Sequence, residues 1–155
     1  MADVVDVEFE EDQLPLGIVF RSTVPAADGR AFVKHIRNNT PAARHKELCA
    51  AKTAAEGAGL CLVLTAVDGV QVKDTGAGLF NAGVERIQSA CRSRKAMAEL
   101  RRRLDNEELG ADERESVRQR LVVMSAMGPI SLRFRAMWPH SRQPQVRHYV
   151  RRSQA

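Results

Sequence analysis

The sequence predicts an α+β fold: a small, partly open β-barrel or sandwich of five or six short strands with two helices, extended by an inserted helical hairpin. Three observations predict it. Apolar and polar residues alternate in short segments, as at Val5, Val7 and Phe9, and this period of two is typical of half-buried strands. Segments in which apolar residues recur with helical spacing lie between these strand-like segments. The dipeptide Asp68-Gly69 lies between two apolar segments, which is a strong β-hairpin signal.

Three strands are predicted in the first part of the chain. Residues 5–9 alternate between apolar and acidic side chains, and residues 31–36 form a short apolar segment with few charges. Between them, a loop at residues 14–18 runs straight into a second strand that ends at about Arg21. Each segment has the length and composition of a typical strand.

A helix is predicted from residue 41 to about residue 55. Thr40 is a candidate N-cap, and Pro41 suits the first helical position because the N–H that it lacks would have no intrahelical partner there. The segment is rich in alanine, and Gly57 and Gly59 are expected to end it. The continuously apolar residues 60–64 then predict a central strand that is buried on both faces.

A long helix is predicted from about Phe80 to Leu104, although Asn81 is also a good N-cap and a start there would leave Phe80 outside the helix. Its predicted apolar face consists of Val84, Ile87, Cys91, Met97, Leu100 and Leu104. Its predicted outer face is basic and consists of Arg92, Arg94, Lys95, Arg101, Arg102 and Arg103.

A further helix and a last strand complete the domain. Asp112 and Glu115 fit a capping box that opens the helix, and Gly128-Pro129 is expected to end it. Ile130, Leu132 and Phe134 alternate with polar residues and predict the last strand. We therefore expect one domain at residues 1–137, with a helical insertion at about 92–127, and a basic tail at residues 138–155.

Composition limits the classes of function. Apolar residues make up 44% of the chain, which is enough for a core, and the net charge is +5. No apolar segment is long enough to span a bilayer, and the acidic N-terminus resembles neither a secretory signal nor a transit peptide. Three widely spaced cysteines indicate reduced thiols. We expect an intracellular, cytoplasmic protein, with cytoskeletal association left open, and neither a metal nor a cofactor.

The loop at residues 14–18 is the strongest candidate site. A turn residue, apolar residues and a glycine lead directly into a strand, an arrangement that leaves backbone N–H groups pointing outward. Such a loop can hold an anion, and the strand after it can accept a partner strand by edge pairing. A tight turn that only connects two strands is the alternative.

Together these segments resemble a PDZ domain. Pro15-Leu16-Gly17-Ile18 looks like the carboxylate-binding loop of that family. Residues 32–36, followed by Asn39-Thr40-Pro41-Ala42-Ala43, are similar to its third strand and first helix. Residues 64–72, with Asp68-Gly69 at their centre, look like its hairpin, and residues 130–135 look like its last strand. The resemblance covers most of residues 3–91 and 128–137.

The resemblance implies a non-catalytic adaptor or scaffold that binds a partner peptide, C-terminal or internal, by β-strand addition between the second strand and the second helix. Leu16, Gly17 and Ile18 would bind the terminal carboxylate, and Val19 and Phe20 would continue the strand pairing. The helix side of the groove would consist of Phe80, Val84 and Ile87. The PDZ domains that select Ser or Thr two residues before the end of the ligand have a His at the start of this helix. No His occurs there in this sequence, so the resemblance implies a ligand with an apolar side chain at that position.

One feature of the sequence opposes carboxylate binding. PDZ domains often carry a Lys or Arg before the loop, whereas Glu10, Glu11 and Asp12 occupy that place here. Negative charges at this position would repel a carboxylate unless they are exposed and screened by salt.

The alternative to a peptide adaptor is a structural subunit of a larger cytoskeletal or ribonucleoprotein assembly in which the groove is unused. An acidic or assembly partner would then contact basic side chains of the insertion and tail, namely Arg101, Arg102, Arg103, Arg151 and Arg152. Direct nucleic-acid binding is not expected, because aromatic residues do not alternate with these arginines. Catalysis is not expected either, because no nucleophile motif surrounds Ser22.

Overall fold

The computed structural model describes residues 4–10, 13–23, 29–74, 76–106 and 108–139. The basic tail, including Arg151 and Arg152, lies almost entirely outside them. The strands are β1 (Val4–Phe9), β2 (Ile18–Ser22), β3 (Ala31–Ile36), β4 (Cys61–Val67), β5 (Val70–Gln71) and β6 (Ile130–Met137). The helices are α1 (Pro41–Arg44), α2 (Lys46–Gly57), α3 (Leu79–Leu104) and α4 (Ala111–Ser125).

The strands form one antiparallel sheet in the order β1-β6-β4-β3-β2, with β5 paired to β4. The predicted α+β class is confirmed. The sheet is open, however, because β1 and β2 lie at its two ends and do not pair with each other. Closure into a barrel is therefore not seen, and β2 is an edge strand in the described part of the chain.

The main core lies against this sheet and is called the sheet core here. Phe9, Ile130, Leu132 and Phe134 are all almost fully buried within it. Strand β4 has four consecutive buried residues at its start, as predicted for a central strand. The alternation predicted for β1 and β6 is also confirmed, because the apolar residues at positions 5, 7, 9, 130, 132 and 134 lie in or against the sheet core and the polar residues between them do not.

The single helix predicted at residues 41–55 is two helices. His45 has an extended backbone (φ −86°, ψ 100°), and it ends α1 and begins α2. Its ring Nδ1 accepts a hydrogen bond of 3.4 Å from the Leu48 N–H, so the imidazole acts as the N-cap of α2. Thr40 is the N-cap of α1, as predicted, and its hydroxyl accepts from the Ala43 N–H.

Asp68 and Gly69 form the predicted two-residue turn between β4 and β5. Both have positive φ, 53° and 78°, which is the backbone that a type I′ hairpin requires at its central residues. Val67 and Val70 pair directly across this turn.

Helix α3 begins at Leu79 with Gly78 as its N-cap, so Phe80 lies inside it. The alternative start at Asn81 is wrong, because the Asn81 side chain donates instead to the Ala77 carbonyl. The helix is continuous for 26 residues. Its first part packs on the sheet, and its second part packs on α4.

A second apolar cluster, called the hairpin core here, holds α3 and α4 together. It consists of the buried residues Met97, Leu100, Val117 and Leu121. The predicted capping box at Asp112 is wrong. Helix α4 begins two residues earlier than this box implies, at Ala111, and its N-cap is Gly110, which has no side chain that could accept a hydrogen bond from the first turn.

Arg94 was predicted on the outer face of α3, and this prediction is wrong. Its side chain is only 1% exposed and lies against the β4–β5 turn and residues 127–129. The other basic residues predicted on that face are exposed, namely Arg92, Lys95, Arg101, Arg102 and Arg103. However, the returning chain after α4 covers the side of the helix on which Arg94 lies, and local sequence spacing does not reveal that.

No helix among the described residues is long and apolar enough to cross a membrane.

Candidate functional site

The loop before β2 is fixed by its carbonyl groups. The Leu16 carbonyl accepts a hydrogen bond of 3.0 Å from the Ala42 N–H, and the Gly17 carbonyl accepts one of 2.8 Å from the Arg37 N–H. Leu16 itself is buried in the sheet core. The loop is therefore attached to the segment between β3 and α1, with its carbonyls turned toward the protein.

Gly17 can only be glycine in this arrangement. Its φ is +89°, in the region that side chains disfavour, and a Cβ there would lie 2.3 Å from the Cβ of Thr40. Thr40 cannot easily move, because its hydroxyl donates to the Arg37 carbonyl at 2.7 Å and caps α1. The N-cap of α1 and the loop thus fix each other's position.

Two N–H groups of this loop are without a hydrogen-bond partner in the described part of the chain. Among the described residues, no backbone or side-chain acceptor meets the N–H of Leu16 or Gly17. Consecutive unpaired N–H groups in a turn form a concavity that suits an anion. The three residues predicted to bind a carboxylate, Leu16, Gly17 and Ile18, lie at the start of β2, where such an anion would bind.

A largely apolar cavity of about 430 Å³ lies beside this loop. It is bounded by the loop, by Phe20 of β2 and by one face of α3. The residues that line it are Leu14, Pro15, Leu16, Gly17, Ile18, Phe20, Ile87, Cys91 and Lys95.

Strand β2 leaves one edge unpaired beside this cavity. It pairs with β3 on one side only, and the pairing shifts between Val19 and Phe20. The Phe20 ring stacks on Phe134 of the core, with ring centroids 6.4 Å apart, which holds the strand in place. Val19 is half-buried and does not line the cavity.

The helix wall of the cavity comes from residues one turn apart on α3. Ile87, Cys91 and Lys95 are spaced by four residues and share one face. Burial raises the pKa of the Cys91 thiol, and the charges of Arg94 and Lys95 partly oppose that shift. The thiol therefore behaves as a small apolar group in the cavity wall.

The other two residues predicted for the helix side lie elsewhere. Phe80 and Val84 are half-buried and pack against the sheet core, and neither lines the cavity. Cys91 and Lys95 take the place predicted for them. Cys91 is four residues after Ile87, and this spacing was the signal in the sequence that could have identified it.

Lys95 is the base in this site, and it was predicted as part of a solvated face. Its side chain is exposed and lines the cavity. Of the acidic residues predicted to repel a carboxylate, Glu10 is exposed, whereas Glu11 and Asp12 lie outside the described residues. Within the described ranges, no group of three or more His, Cys, Asp or Glu side chains could hold a metal ion.

No family model, no curated protein and no solved structure matches this chain. A proposal for the function therefore depends on the geometry of the loop, the edge strand and the cavity.

Proposed function

We propose that this chain is a non-catalytic, PDZ-like module that binds an extended partner peptide in the groove between β2 and α3. The peptide adds as a strand to the free edge of β2, and its terminal part enters the apolar cavity beside the loop. The observation that carries this proposal is the position of the cavity: it lies at the end of an unpaired strand edge and next to open N–H groups.

An exposed strand edge supports strand addition. Its unpaired N–H and C=O groups are a template for another strand, and proteins usually shield such edges unless they are used. In the described residues, no strand or helix of this chain pairs with the outer edge of β2.

The open cavity supports a peptide with apolar side chains. A groove filled by Phe80 would have favoured the assembly subunit, but Phe80 packs on the core instead. The cavity walls are mainly aliphatic, aromatic and thiol groups. Burial of one medium-sized apolar side chain there would contribute about 1.5–3 kcal/mol to binding.

A titration followed by NMR tests the proposal. Isotopically labelled protein is titrated with ten-residue peptides that end in Val, Leu, Ile or Phe. Strand addition would shift the backbone amide signals of residues 16–20 and 87–95 and leave those of α4 unchanged. Shifts confined to α4, or none with any peptide, would contradict the proposed groove.

A matched pair of variants locates the binding site. Cys91→Trp fills the cavity and should abolish peptide binding. Arg92→Trp places the same side chain on the next residue of α3, which is exposed and does not line the cavity, and binding should stay near the wild-type level. Equal loss in both variants would indicate a general effect on the helix.

A second candidate, a structural subunit of a larger assembly, has one observation in its favour. Val122 and Val123 on α4 are 73% and 75% exposed, and Arg101, Arg102 and Arg103 are exposed on the neighbouring helix. An assembly contact would bury these groups. It predicts that Val122→Glu/Val123→Glu removes the chain from a large particle on a density gradient, while Cys91→Trp does not.

A further inference from the structure

We propose that Lys95 makes the groove selective for a free C-terminal carboxylate over an internal peptide segment. This inference rests on the proposed peptide groove and deepens it, since it names the charge that completes the site. Lys95 is in the insertion side of α3, far along the sequence from the loop at residues 14–18, and only the fold brings the two together.

The position of Lys95 suits a ligand that ends in the cavity. It lines the same cavity as Leu16, Gly17 and Ile18, and it stands one turn beyond Cys91. An apolar last side chain would fill the space between Ile87 and Cys91. The terminal carboxylate would then lie between the loop N–H groups and the lysine.

The charge of Lys95 is available for a ligand. In the described part of the chain, no carboxylate or carbonyl accepts a hydrogen bond from its ammonium group, and no ion pair includes it. A cation without a partner at the rim of an apolar cavity complements a ligand that carries one negative charge next to an apolar group. Hydrogen bonds to an ionised group are also stronger than neutral ones.

Lys95 supplies the positive charge that is missing from the residues before the loop. PDZ-like loops that attract a carboxylate commonly have a base before them, and here the preceding residues are acidic. The required positive charge comes instead from the opposite wall of the groove. A carboxylate would therefore be attracted from α3 rather than from the N-terminal side.

The hairpin core explains how the lysine is held there. Met97 and Leu100 belong to that core and follow Lys95 by two and five residues. Without α4, the last part of α3 would have no apolar partner. A helix that ended after Cys91 would also have no residue at this position. The insertion thus has a role in the groove itself.

Paired peptides and charge variants test this inference. Ten-residue peptides ending in Val, Leu, Ile or Phe are measured as free acids and as C-terminal amides against the wild type, Lys95→Gln and Lys95→Arg. We expect the wild type to prefer the acid. Lys95→Gln should weaken acid binding by roughly three- to tenfold and leave amide binding unchanged. Lys95→Arg should retain most of the preference.

Arg92→Gln is the matched control, because Arg92 is an exposed base on the same helix that does not line the cavity. It removes the same charge and should leave the preference for the acid intact. Equal effects of the two Gln variants would mean that only the overall charge matters, which would overturn the role of Lys95.

The outcomes separate this inference from the proposed function. If acid and amide peptides bind the wild type equally, the groove still binds peptides, but carboxylate selectivity is wrong. If Lys95→Gln weakens both forms to the same extent, Lys95 contributes in another way and the inference fails. If no peptide binds in either form, the proposed function fails, and the inference fails with it.

Discussion

The buried guanidinium of Arg94 forms a two-point ion pair with the partly exposed carboxylate of Asp68, and this pair joins α3 to the β4–β5 turn. Nη1 and Nη2 of the arginine donate to Oδ2 and Oδ1 of the aspartate, each at 2.9 Å. Asp68 Oδ1 also accepts from the Ser131 N–H at 3.2 Å. Further donors of the same guanidinium bind the carbonyls of Met127, Gly128 and Pro129. One side chain therefore connects the helix, the hairpin turn and the start of β6.

Removal of this arginine should destabilise the protein strongly. Arg94→Met removes the guanidinium donors of the carbonyls of residues 127–129 and of the Asp68 carboxylate, which keeps its bond from the Ser131 N–H. Leaving such groups without these donors typically costs about 1–3 kcal/mol. Urea unfolding would measure the loss. The control is Arg102→Met, because Arg102 is exposed and its ion pair among the described residues is with Glu99 on its own helix, so it should cost less than about 1 kcal/mol. Similar losses for both would contradict the structural role of Arg94.

Gly17→Ala should unfold or weaken the loop by more than backbone strain alone explains. A positive φ costs an alanine about 1–2 kcal/mol, and here the new Cβ would also overlap Thr40. Gly59→Ala is a matched control, because Gly59 has a φ of +78° but nothing lies within 4 Å of its added Cβ. Thermal unfolding should therefore show a clearly larger loss for Gly17→Ala. A loss no greater than that of Gly59→Ala would show that Thr40 moves aside.

The Cys61 thiol should make stability depend on pH above neutrality. Burial raises its pKa to about 11 from an ordinary value of 9.0. The unfolded chain loses this proton near pH 9, whereas the native protein keeps it. Ionisation therefore favours unfolding between pH 9 and 11, and the stability that the neutral thiol contributes below pH 9 is lost.

Comparison with Cys61→Ala isolates this effect from other titrating groups. The free energy of unfolding of the wild type, relative to that of the variant, should fall by about 1 kcal/mol from pH 8 to pH 10. Chemical denaturation at each pH measures it. A constant difference across that range would show that Cys61 ionises equally in both states.

Leu121→Ala should loosen the hairpin without opening the sheet. Leu121 belongs to the hairpin core, which is separate from the sheet core, and a buried Leu→Ala change typically costs about 2–5 kcal/mol. Hydrogen exchange followed by mass spectrometry should become faster at residues 97–124 and stay unchanged at residues 61–67. Leu132→Ala, in the sheet core, is the comparison and should raise exchange in the sheet. Faster exchange in both regions of Leu121→Ala would mean that the two cores unfold together.

Much of the fold follows from local patterns. Strands β1, β4 and β6 and the Asp68-Gly69 turn were predicted because alternation, continuous burial and positive-φ residues are properties of a few adjacent positions. The break at His45 was not predicted, because an imidazole that caps a helix leaves no pattern in an alanine-rich segment. The start of α4 was misplaced because acidic residues favour a first helical turn whether or not they cap it.

The site was predicted only on its loop side. Leu16, Gly17 and Ile18 are adjacent in sequence, so one motif indicated all three. Lys95 and Arg94 were assigned to one solvated face, yet the first lines the cavity and the second is buried. Their different surroundings depend on where the chain returns after α4, and such a long-range contact is not encoded in the spacing of α3.

The continuity of α3 sets a limit on how this protein could be shortened. Excision of residues 92–127 would keep the sheet, α1, α2 and the first half of α3. It would also cut the chain immediately after Cys91, and so delete both the guanidinium that ties the hairpin turn to β6 and the ammonium at the rim of the cavity. A shortened chain that keeps Arg94 and Lys95 in these places therefore retains the hairpin.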